Sequence, residues 1–76
     1  MIRELDTVVL IKDEAELGLK SGDVGAVVYI YESGQAFEVE FVTASGETIA
    51  VLTLTESEIR PMQEQEILHV RSLEPA

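Results

Sequence analysis

Hydrophobic and polar positions along the chain alternate in short β-type runs rather than at helical spacing. Thr7-Val8-Val9-Leu10-Ile11 is a β-branched run bounded by Asp6 and by Lys12-Asp13-Glu14, and it predicts a first strand with at least one buried face. From Ala15 to Asp23, Gly18 and Gly22 surround Leu17 and Leu19, so this stretch reads as a long loop pinned to the core by two leucines, with a helix as the alternative. Ser21-Gly22-Asp23 makes a turn into a second strand, Val24 to Tyr31, in which Gly25 marks a bulge or a close backbone approach. Glu32-Ser33-Gly34-Gln35 then closes a tight hairpin, with glycine where a positive φ costs least.

The third strand, Ala36 to Thr43, places Phe37, Val39 and Phe41 on one face and Glu38, Glu40 and Val42 on the other. Ala44-Ser45-Gly46-Glu47 repeats the turn chemistry before a fourth strand, Thr48 to Leu54. Thr55-Glu56-Ser57-Glu58 predicts a single 3-10 turn near residues 55–59, capped by Thr55 with Glu58 as its partner and ended by Arg60-Pro61. Glu66 to Val70 is expected to supply a closing strand, and Met1 to Glu4 and Leu73 to Ala76 to be frayed ends. The expected fold class is therefore all-β, a single domain over residues 1–76. Its architecture is a small, partly open SH3-like barrel of about five antiparallel strands, because closure protects strand edges. The OB-fold, the competing five-stranded barrel, needs a helix where only Ala44 to Glu47 is available.

Composition narrows the functional classes. The chain has 76 residues, enough for one core. Cysteine is absent, so neither a disulfide nor a thiolate site contributes, and the lack of cysteine fits a reducing compartment. The N-terminus lacks the basic and apolar regions of a secretory signal, and no apolar run approaches the roughly 20 residues of a membrane span, so a cytoplasmic location without membrane association is expected. A net charge of −10 repels phosphate backbones and disfavours nucleic acid. The acidic residues are dispersed and read as a solvated surface.

The order Glu4-Leu5-Asp6-Thr7-Val8-Val9-Leu10, Gly18-Leu19, Gly22-Asp23-Val24-Gly25, Phe37-Glu38-Val39-Glu40-Phe41 and Ile59-Arg60-Pro61 resembles the small bacterial proteins catalogued as domain of unknown function 4926. The resemblance covers about residues 2 to 61 and leaves out those after Met62. It implies an SH3-like fold and prokaryotic origin, and brings no catalytic residues with it. The resemblance also implies an encoding near other small uncharacterised proteins, and with it a partner-binding or antitoxin-like role. Leu19 to Ile30 is also similar to the KOW-type element of ribosomal and transcription-elongation barrels. Those are basic where they touch RNA, whereas Lys20 is the only cation in this segment.

Candidate chemistry is sparse. His69 is the only histidine, has no cysteine or second imidazole to share a metal with, and is expected at a half-exposed strand position. Glu38 and Glu40 share a face and, with Glu47 or Glu32 across the sheet, form the one candidate site for a loosely held divalent cation. The serines occupy turns and lack a Gly-x-Ser-x-Gly element, so no catalytic triad is expected and the chain is read as non-enzymatic, with no cofactor. Tyr29, Tyr31 and Val42 are the candidate partner surface, the tyrosines being either outward-facing or core residues with a wet hydroxyl. Ile67, Leu68, Val70 and Leu73 either close the barrel or pack on another copy of the chain, a possible homo-oligomer. The leading expectation is a protein–protein interaction module with a basic partner, in the manner of an acidic neutralising protein. The alternatives are a weak divalent-metal or small-ligand binder and a KOW-like RNA-associated barrel.

Overall fold

The computed structural model describes residues 2–73. Five antiparallel strands, β1 (Thr7–Leu10), β2 (Val24–Ile30), β3 (Ala36–Val42), β4 (Thr48–Thr55) and β5 (Ile59–Pro61), form one sheet in the order β4-β3-β2-β1-β5. β1 to β4 follow the predicted strands to within a residue or so at each end. The expected frayed ends at Met1 and residues 74–76 lie outside the described residues.

Both hairpins form where turn chemistry placed them. Gly34 at φ 72° donates its N–H to Tyr31 O at 2.8 Å, and Gly46 at φ 91° donates to Thr43 O at 2.9 Å. The turn from β4 to β5 is a single i→i+3 turn, Glu58 N–H to Thr55 O at 2.9 Å, and the Glu58 carboxylate reaches back to accept the Thr55 N–H at 2.8 Å. That is the reciprocal cap expected of a Thr-x-x-Glu sequence. A short 3-10 helix also forms at Ala15–Leu17 in the first loop, whose ends are tied by a Glu14–Leu19 bridge. Leu19 is buried there while Leu17 is 42% exposed, so one leucine pins the loop rather than two.

The edge strands β4 and β5 are joined by this one tight turn, so the sheet has to curl until its two edges nearly meet. They do not pair, which leaves the sheet open rather than closed into a true barrel. The curl encloses one core of Val8, Leu10, Leu19, Val27, Phe37, Val39, Phe41, Leu54 and Ile59. β2 bends most. Its Gly25 lies where β3 comes closest, confirming a close backbone approach, and the bulge falls instead at Val28, between the Val27 and Tyr29 pairings.

The closing strand was misplaced in the sequence reading. Ile59–Pro61 takes the slot beside β1, with Val9 opposite Arg60, whereas Glu66 to Val70 forms no strand. Two causes are visible. The slot is filled by the residues that leave the β4–β5 turn, and Glu66 is held in a local turn, accepting the Gln63 N–H at 2.7 Å and the Arg60 guanidinium at 2.8 and 2.5 Å. Ile67 and Val70 are consequently 91% and 89% exposed, and His69 is exposed on an unpaired segment rather than half-exposed on a strand. Farther on, Arg71 fastens the segment to the first loop, with Nε to Asp23 Oδ1 at 2.9 Å and Nη2 to Gly18 O at 2.8 Å.

Truncation after Met62 is therefore expected to cost only about 1 kcal/mol in a urea melt, since the segment supplies partly exposed ion pairs and little buried apolar area. A loss several times larger would restore residues 66–70 as an integral part of the core. The Glu66 carboxyl is held down to about 2 by the Arg60 guanidinium and the Gln63 N–H. Because its folded pKa lies below the unfolded value, whatever stability this contact adds is complete above about pH 4.5 and fades as pH falls toward 2. Carboxyl NMR should show Glu66 as the last glutamate to take up its proton as pH falls, and in Arg60→Ala its midpoint should rise toward the usual range, stopping short of it because the Gln63 N–H remains.

Candidate functional site

The bulge at Val28 decides which way the tyrosines point. An extra residue shifts the alternation of β2, so Val27 faces the core, Val28 and Tyr29 both face out, Ile30 packs against the core and Tyr31 faces out again. Tyr29 and Tyr31 are 49% and 39% exposed, and their rings meet edge to face at 5.0 Å and 83°. Of the two readings open from sequence, the outward one is what the fold presents.

Across the sheet, Tyr29 pairs with Glu38, and Glu38 pairs with Thr53. The Glu38 Oε2 accepts a hydrogen bond from the Thr53 hydroxyl at 2.6 Å and another from the Tyr31 phenol. These two donors, Thr53 first, hold the Glu38 carboxyl below its ordinary range, and the carboxylate in turn raises the Tyr31 phenol. The result is a carboxylate fixed in orientation and kept ionised beside two aromatic rings. Glu40, one pleat along, accepts the Thr48 hydroxyl at 2.7 Å.

The expected meeting of Glu38 and Glu40 with Glu47 or Glu32 is not what the register produces. Opposite Glu38 stand Tyr29 and Thr53, and opposite Glu40 stand Ala26 and Val51, so each carboxylate finds hydroxyl donors rather than further carboxylates. No group of three or more potential metal-ligating side chains occurs among the described residues. Val42, 52% exposed, lies on the same outer face but four residues along β3 from Glu38, roughly 13 Å at strand rise. Between them sits Val51, 50% exposed. The outer face of β2, β3 and β4 is thus a strip with an aromatic and acidic end and an aliphatic end.

Three of the strip's residues escaped the sequence reading. Thr53 and Val51 were accessible in principle, since strict alternation along β4 sets them opposite Leu52 and Leu54. Val28 was not, because nothing local marks it as the bulged residue. Two shallow grooves of about 610 and 490 Å³ run along the C-terminal segment, with Leu19, Arg71 and Leu73 in the walls of both and Val42 in the wall of the second. They do not touch the tyrosines. Among the described residues no helix is long and apolar enough to cross a membrane.

Comparison with known proteins gives one result. Residues 4–61 match the model of the family described as Domain of unknown function (DUF4926), from Glu4, three residues before β1, through the last residue of β5. The C-terminal segment lies beyond the match. No curated protein and no solved structure matches the chain.

Proposed function

The chain belongs to the family described as Domain of unknown function (DUF4926), and on that premise we propose that it is a non-enzymatic interaction module that binds a basic protein partner through the outer face of β2, β3 and β4. The observation that carries this reading is the Tyr29–Tyr31 edge-to-face pair beside the Glu38 carboxylate. Aromatic rings standing half in solvent with an oriented negative charge beside them suit an arginine or lysine side chain, whose cation can lie against a ring face while it bonds to the carboxylate. Val28, Val51 and Val42 supply apolar contact around that point. The net charge of −10 then steers a basic partner toward the strip from a distance. A cytoplasmic protein that neutralises a small basic partner, as an antitoxin does, is the biological setting this chemistry fits.

The test uses a short peptide with one arginine between apolar residues, titrated against the full chain at low salt and followed by NMR. Shifts should centre on Tyr29, Tyr31 and Glu38, and Tyr29→Ala should weaken binding by about tenfold, the equivalent of one cation–π contact of roughly 1.4 kcal/mol. Glu38→Gln should weaken it too and flatten its salt dependence. Shifts spread evenly over all acidic residues and indifferent to Tyr29→Ala would reduce the interaction to unspecific charge attraction and remove this reading.

A further inference from the structure

The loop that leads into β2 holds a set of oxygen acceptors shaped for a guanidinium. The Asp23 carboxylate is turned by the Lys20 N–H, which donates to Oδ2 at 2.8 Å. Its backbone is fixed as well, with the Asp23 N–H bonded to Lys20 O at 2.9 Å and Asp23 O accepting the Leu10 N–H at 2.8 Å. Gly18 caps the short 3-10 helix nearby, and among the described residues no backbone N–H is bonded to its carbonyl oxygen. A planar guanidinium matches a carboxylate as a fork and has a further N–H for a carbonyl, which an ammonium cannot offer in that geometry. Arg71 fills the set: Nε bonds Asp23 Oδ1 at 2.9 Å, and Nη2 bonds Asp23 Oδ2 at 2.5 Å and Gly18 O at 2.8 Å.

Acceptors and arginine come from different parts of the chain. Gly18, Asp23 and the backbone groups that orient them lie within residues 4–61, the part that matches the family model, whereas Arg71 lies beyond it. Among the described residues, no backbone hydrogen bond ties residues 67–73 to the rest of the chain. Ile67 and Val70 stand almost wholly in solvent, so their packing contributes little, and the Arg71 guanidinium is the polar contact that holds this stretch down. A segment attached at so few points opens at a small local free-energy cost.

We propose that Asp23 and the Gly18 carbonyl form a receptor site for an arginine of a protein partner, and that residues 67–73 occupy this site as an intramolecular competitor. The seated Arg71 identifies the ligand chemistry. Leu73, two residues on, lies in the walls of both grooves beside Arg71, so a partner segment with an aliphatic residue two places after its arginine reproduces the seated contacts. Charge favours such a partner over a second copy. A chain of net charge −10 repels its own kind and attracts a basic segment. Exchanging tails between two copies would also replace each contact by an identical one while losing the effective concentration that the tether supplies. Tyr29, Tyr31 and Glu38 take no part in this site, so it does not rest on the binding strip described above.

The probe is a peptide with the sequence of residues 67–73 and blocked ends, titrated into the full chain at low salt and followed by backbone NMR. In the wild type Arg71 competes with it. Arg71→Ala vacates the acceptors, so losing this arginine should strengthen binding at the loop by about fivefold, the worth of a partly exposed ion pair, with shifts centred on Gly18, Leu19 and Asp23. A peptide with alanine in place of its arginine should give no such shifts. Asp23→Asn added to Arg71→Ala keeps an oxygen for the Lys20 N–H, and should abolish loop binding while melting as Arg71→Ala alone does. Tyr29→Ala in the same background should leave loop binding unchanged, so the loop site and the strip fail independently. Equal loop affinity in wild type and Arg71→Ala, or loop binding indifferent to Asp23→Asn, would overturn the proposal and leave Arg71 as a structural tie. A wild-type dimer in sedimentation equilibrium that Arg71→Ala dissociates would overturn it too, by making a second copy's tail the occupant.

Discussion

Replacing Phe37 with alanine is expected to cost about 3–5 kcal/mol, the range for emptying a buried phenylalanine site. Phe37 is 2% exposed and the largest of the fully buried side chains, opposite Leu54 on β4 and Ile30 on β2. It therefore joins three of the five strands. Its cross-strand neighbours Leu54 and Ile30 are held to β3 by the ladder, so they collapse only partly into the space it leaves. Domains have total stabilities of roughly 5–15 kcal/mol, and one of this size lies toward the lower end. The variant should thus be largely unfolded at mild urea concentrations, and its Tm should fall by more than about 10 °C. A loss below ~1 kcal/mol would mean that the core is centred elsewhere.

Gly25→Ala should destabilise by about 2–3 kcal/mol, against the ordinary expectation for a glycine in a strand. Where space allows, alanine stabilises by about 0.4–1 kcal/mol through the unfolded chain, so the sign of the effect is itself diagnostic. A Cβ at Gly25 would lie 2.7 Å from Val39 Cγ1, 2.9 Å from Phe41 Cε1 and 3.0 Å from the Glu40 carbonyl oxygen. Val39 is fully buried and the carbonyl belongs to the β3 backbone, so neither can withdraw without spreading the sheet. Adding Val39→Ala removes one of the three obstacles. The double variant should be more stable than the sum of the single losses implies, a coupling measurable by urea denaturation. An additive result would show that the methyl group is accommodated without meeting β3.

The extent to which the fold was legible follows local chemistry closely. β3 was clear because alternate Phe37, Val39 and Phe41 can face only one way, and the two hairpins because glycine at the turn is the low-cost route to positive φ. The Thr55–Glu58 cap was legible because both partners lie within one turn. The closing strand was not. Ile59–Pro61 is short and ends in proline, a weak strand signal, while Ile67-Leu68-His69-Val70 has the better strand composition and remains exposed. Pairing beside β1 rewards the residues that arrive first from the turn, and composition does not report arrival.

The candidate site divides in the same way. Tyr29, Tyr31 and Val42 were identifiable as surface candidates, and Glu38 as an outward acid, from alternation alone. The partners of Glu38 were not identifiable. They come from strands 7 and 15 positions away in sequence, and their register depends on a bulge that no residue type marks. That register turned a suspected carboxylate cluster into a carboxylate bonded by hydroxyls.

Sequence by itself determined the all-β class, the order of strands β1 to β4, the turns between them, the inward face of β3 and the acidity of the surface, because each depends on residues within a few positions of one another. Only the tertiary structure decided which segment closes the sheet, where β2 bulges, and that both tyrosines stand on the outer face beside Glu38. Those features arise from competition between segments distant in the chain for the same hydrogen-bonding slots and the same core volume. Such a competition is settled by packing, after local preference has been satisfied.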